Sequence, residues 1–210
     1  GNAIGDEGSG YWIAHRALTL FSQMSDGRVP KGPLHAILRT ELGLERDLDL
    51  CSLAGAGGPL AARDRVAALC PLVARAAVEG DAAAESIFAA AARELAAIVE
   101  AVRIAVGYAD DEVVPVSYSG GVFAAGDFFH RAFADAVGKS AGTHRFAAPI
   151  LSPLAASRCG RLFIKASGVA PLMLRLIAEH APRLVDRQQR LVRADACLQG
   201  DAPIHLGHQL

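Results

Sequence analysis

The sequence predicts a helix-rich α/β fold. Two observations carry this. Apolar residues recur at helical spacing through most of residues 9–106, and then "EVVPVSYSGGVF" switches to a short β-branched run. A further helical stretch and a second strand-like stretch follow, so strands and helices alternate late in the chain. With 52% of its 210 residues hydrophobic, the chain can bury a sizeable core in one large domain or two small ones.

The opening "GNAIGDEGSGYWIAHRAL" sets glycines, two adjacent acids and a serine directly before an apolar stretch. Ile13, Ala17, Leu20, Phe21 and Met24 share one helical face, and Asp6 or Ser9 can cap that helix. "SDGRVPKGP" (25–33) breaks it with Gly and Pro. A second helix is expected over Leu34–Leu42, closed by Gly43. "SLAGAGGPLAARD" (52–64) is glycine-rich, but no strand precedes it and no GK[ST] follows, so it reads as a plain turn.

A helix is expected from Arg63 to Glu79, ended by Gly80. Asp81 can cap the alanine-rich helix that runs to about Val106, with a stripe of Ile87, Ala91, Leu95, Ile98, Val102 and Ala105. Val113, Val114, Val116 and Tyr118 predict a buried strand stopped by "SGG". "DFFHRAFADAV" is a helix with Phe129, Phe133 and Val137 on one side, and "HRFAAPI" is a second strand. Beyond about Ser157 the pattern degrades. "GVAPLMLRLIAEHA" can form a helix, and the remainder reads as a loose tail.

Composition narrows the function classes. A net charge of −1 with no basic cluster argues against a nucleic-acid partner. No apolar run is long enough to cross a bilayer, and the acidic, glycine-rich start is unlike a signal peptide. Cys51, Cys70, Cys159 and Cys197 form no CxxC pair, which predicts reduced thiols and a cytoplasmic protein. Asp110, Asp111 and Glu112 read as a solvated loop, His15 as a surface residue, and Tyr11 and Trp12 as packing residues. His205 and His208 are three apart, a spacing that could share a metal, but a tail is a poor setting for a site.

Two places can carry chemistry. A strand ending in Gly120-Gly121 lets a flat ligand approach the backbone, and the amides of a following helix suit a nucleotide. A tight strand–helix turn explains the same glycines. Asp6 can accept hydrogen bonds from neighbouring sugar hydroxyls, or it can simply cap the helix.

Taken together, "GDEGSGYWIAHRAL", "AAVEGDAAAESIFAAAARELA" and "VSYSGGVF" resemble, in order and spacing, the C-terminal lobe of the N-acetylglucosamine kinase family. That family sits in the wider BadF/BadG/BcrA/BcrD-type ATPase group of the sugar kinase, Hsp70 and actin superfamily. The resemblance spans roughly residues 1–155. It implies a ribonuclease-H-like lobe of an actin-like ATPase domain, over residues 1–157, followed by a diverged end over 158–210. It implies ATP-dependent phosphorylation of N-acetylglucosamine to the 6-phosphate, with ATP and Mg²⁺ as cofactors. Glucosamine or another amino sugar is the alternative substrate.

By the same resemblance, Gly1, Asp6, Ser9 and Gly10 are substrate-binding, and Gly120 and Gly121 pass under the adenosine. No catalytic or metal-binding residue is assigned within the chain. The family's catalytic Asp and its two phosphate loops match nothing here, and the chain starts at Gly1 inside a motif, so further sequence upstream is expected. Without those parts the chain alone is expected not to transfer phosphate. It would then be a catalytically inactive lobe that binds sugar or nucleotide, or regulates. A lobe lacking its partner exposes apolar surface, which leaves a homodimer open. The family's "P-x-x-G-A" ending is also lost after "SPLAASRCG".

Overall fold

The computed structural model describes residues 5–118 and 120–147. Helix α1 (Gly10–Ser25) buries Ile13, Ala14, Ala17, Phe21 and Met24. Helix α2 (Pro33–Glu41) starts on a proline, whose missing N–H costs nothing at a first turn. A short α3 (Leu50–Ala54) takes up the first residues of the 52–64 stretch expected to be a turn, and residues 55–62 form that turn.

The helix expected over 63–79 is two helices, α4 (Arg63–Ala67) and α5 (Cys70–Val78). Pro71 is the cause. Inside a continuous helix its ring would meet the carbonyl of residue 67, whereas in the first turn of a new helix it is tolerated. Helix α6 (Ala82–Val106) forms the spine, with Ala84, Ile87, Phe88, Ala91, Ala92, Leu95, Ala96, Val99 and Arg103 buried. Ile98 and Val102 are only half-buried, and Ala105 is exposed.

Asp81 is the N-cap of α6, and it reaches further than its own helix. Its Oδ1 accepts the Ala84 N–H at 2.9 Å. Its Oδ2 accepts the Leu34 N–H of α2 at 2.8 Å. Gly32 leaves room for this second bond, since a Cβ there would lie 2.6 Å from Oδ2.

Strands β1 (Val113–Ser117) and β2 (Thr143–Ala147) pair in parallel, from Val113 opposite Thr143 to Ser117 opposite Ala147. A parallel pair needs a crossover, and α7 (Asp127–Val137) lies between the strands in sequence. Phe129, Phe133 and Val137 of α7 are buried, as expected. In β1 only Val114 and Val116 are buried; Val113 is exposed, because the strand alternates faces. Asp110 is exposed yet pairs with Arg103 at 3.0 Å. Arg103 also donates to Glu100 and to the Tyr108 carbonyl, fixing the loop that leads into β1.

The helix-rich arrangement with its small parallel sheet is compatible with an actin-like ATPase fold. No described helix is long and apolar enough to cross a membrane. Cys51 is an exposed free thiol and Cys70 a buried one. Gly1, Cys159, Cys197, His205, His208 and the region 158–210 lie outside the described residues.

Candidate functional site

The loop before α1 is built from unusual backbone. Gly5, Asp6 and Gly8 all have positive φ, at 93°, 66° and 77°. For Asp6 this is the left-handed region that non-glycine residues rarely occupy, and such conformations gather at functional sites. Gly8 has a second reason to be glycine. A Cβ there would fall 2.7 Å from Leu95 Cγ and 3.0 Å from the Ala91 carbonyl, so the loop lies directly on α6. The Ser9 N–H donates to the Asp6 carbonyl at 2.9 Å and closes the turn.

Ser9 caps α1: its Oγ accepts the Trp12 N–H at 3.2 Å. That leaves Asp6 without the capping role that the sequence allowed it. Its side chain is buried, at 5% exposed, and instead meets Arg63 at the start of α4. Arg63 Nε and Nη2 both donate to Asp6 Oδ2, at 3.0 and 2.7 Å. The Arg63 guanidinium also sits over the Tyr11 ring, 5.3 Å from its centroid. The adjacent Glu7 is exposed.

The second stretch is open. Gly120 has φ 124°, a conformation that side chains resist. Gly121 follows, and a Cβ added to it would meet no atom within 4 Å. The next residues form a 3-10 turn, Gly121–Ala125, rather than the start of an α-helix. Helix α7 begins only at Asp127, so its free amides do not directly follow the glycine pair. The turn is anchored from behind by Tyr118, Phe123 and His130, whose ring centroids lie 4.9 to 5.7 Å apart.

A cleft of about 690 Å³ brings the two stretches together. Ser9, Gly10, Tyr11 and Arg63 line it, and so do Gly121 and Val122. Cys70 lines it as well, and burial pushes its thiol up to about 11, so it sits there as a neutral, inert group. His15 lies on the exposed side of α1. Arg63 is the site residue that sequence reasoning missed. It is 57 positions from Asp6, in a stretch with no motif of its own, and only the fold pairs them.

No curated protein matches the chain. A family model does match it, that of the BadF/BadG/BcrA/BcrD ATPase family, over residues 1–156. With the match covering most of its 210 residues, the chain belongs to the BadF/BadG/BcrA/BcrD ATPase family.

Proposed function

We propose that the chain supplies one lobe of an ATP-dependent amino-sugar kinase that phosphorylates N-acetylglucosamine to the 6-phosphate. Residues 1–157 make up this ribonuclease-H-like lobe, and residues 158–210 are its diverged end. The carrying observation is the shared cleft: Ser9, Gly10 and Arg63, the ion-pair partner of the buried Asp6, border one cavity with Gly121 of the open turn, while Asp6 and Gly120 themselves lie behind its lining. Its volume falls within the usual span for small-molecule sites, roughly 300–1,000 Å³.

In this reading Gly1 and Asp6 are the sugar contacts, with Asp6 accepting the sugar's hydroxyls, and Ser9 and Gly10 lie near the same sugar wall. Gly120 and Gly121 pass under the adenosine. ATP, when bound, supplies the phosphoryl group. The proton-accepting base and the phosphate loops belong to a second lobe. Among the described residues no three His, Cys, Asp or Glu side chains gather as metal ligands.

The test is calorimetric titration of N-acetylglucosamine into the full-length protein and its Asp6→Ala variant. Unpaired polar partners in a bound site cost about 1–3 kcal/mol each, so the variant should bind roughly ten- to a hundredfold more weakly. Unchanged affinity would overturn the reading. Glucosamine titrated in parallel identifies which amino sugar is preferred.

A further inference from the structure

We propose that Arg63 is the positioning residue for Asp6, holding its carboxylate so that one oxygen is presented to the sugar. This deepens the sugar-site reading and rests on it. Both contacts from Arg63, at 3.0 and 2.7 Å, converge on Oδ2. Among the described residues nothing hydrogen-bonds Oδ1. A carboxylate held through one oxygen by a guanidinium is fixed in orientation, and its other oxygen can then be directed at a hydroxyl.

Arg63 is itself well placed for this role. It is the first residue of α4, its guanidinium rests over Tyr11, and it lines the cleft. Its side chain is 42% exposed, against 5% for Asp6, so the pair grades from buried acceptor to open cation. A planar guanidinium can direct two N–H groups at one oxygen in a fixed plane. A lysine ammonium is a point charge and fixes the carboxylate less well.

The same geometry explains why Asp6 tolerates its left-handed backbone. The ion pair and the turn closed by the Ser9 N–H hold the residue from both ends. The chain thus maintains a strained residue in one orientation, as expected where a ligand is to be met.

The test is a double-mutant cycle in the full-length protein, read by calorimetric affinity for N-acetylglucosamine, with melting temperatures recorded for every variant. Arg63→Met should weaken sugar binding about tenfold, and Arg63→Lys should restore part of the loss. Affinity for ATP should be unchanged in both. In an Asp6→Asn background, Arg63→Met should cause no further loss, because its effect passes through Asp6. Arg63→Met with full affinity, where Asp6→Asn is weakened, overturns this proposal alone. So do equal losses in both backgrounds. Asp6→Asn with full affinity overturns the sugar reading and this proposal with it. Should Arg63→Met fail to fold, Arg63→Lys carries the cycle, and full affinity in that variant also counts against a positioning role.

Discussion

The two glycine-bearing stretches on the cleft look alike in sequence and are built in opposite ways. In the loop before α1, glycine is demanded by crowding. Gly8 lies so close to α6 that a methyl group would overlap Leu95. In the turn after β1, Gly121 faces empty space, and its missing side chain leaves the cleft open. One glycine lets the protein pack against itself, and the other leaves room for something else. A glycine motif therefore says that a side chain is unwelcome, and only the surroundings say whether the protein or a ligand excludes it.

Substitutions at these positions separate the two cases. The largest effect is expected at Gly8. Valine there combines a positive φ with an overlap against Leu95, and each of these costs about 1–3 kcal/mol. Urea unfolding of Gly8→Val should show a loss of about 3 kcal/mol or more. A loss below about 1 kcal/mol would mean that Leu95 swings away and the crowding is only apparent.

Gly121→Val should do the reverse. Stability should stay within about 0.5 kcal/mol, as for an exposed substitution that touches nothing. Affinity for ATP should fall about tenfold or more, by calorimetry on the full-length protein, while sugar affinity is kept. Unchanged ATP affinity would reduce the glycine pair to a turn.

Ser9→Ala gives the smallest change. It removes the one side-chain cap of α1 and should cost about 1 kcal/mol in thermal unfolding. Ser9 also lines the cleft on the sugar side, so sugar affinity should fall modestly as well, by less than in Asp6→Ala, by calorimetry. Unchanged sugar affinity would reduce Ser9 to a helix cap.

Much of this architecture was legible in the sequence. Helices α1, α2, α6 and α7 and both strands follow from apolar spacing and from Gly and Pro punctuation, which act locally. The misreadings have physical causes. Treating 63–79 as one helix overlooked Pro71. The α6 stripe drifted at its far end because Arg103 is buried there, at 6% exposed, and a charged residue reads as solvent-facing. Its burial is made possible by bonds to Glu100, Tyr108 and Asp110, which periodicity does not reveal. Val113 was grouped with its neighbours because three valines in four residues mask the alternation of a strand.

The site was legible in its ends and not in its join. Asp6 and the Gly120-Gly121 pair stood out as local patterns, whereas Ser9 and Gly10 entered the site only through the family resemblance; of these, Ser9, Gly10 and Gly121 line the cleft. The bond between Asp6 and Arg63 did not, because a long-range ion pair leaves no trace in spacing. The competing roles of Asp6 and Ser9 were open for a related reason: both residue types cap helices well, and only the turn geometry places Ser9 at the cap.

Asp81 ties the start of its own helix to the start of α2, where its partner Leu34 lies 47 residues earlier in the chain. In terms of cooperativity, neither first turn can fray alone. If the Leu34 amide lets go, a buried carboxylate oxygen loses its partner, and the same holds for Ala84. Opening either end therefore weakens the other, so α2 and α6 loosen as one unit. Because the Gly5–Ser9 loop rests on α6 through Gly8, the site's scaffold inherits that cooperativity. Slow hydrogen exchange at Leu34 and Ala84 should rise and fall together.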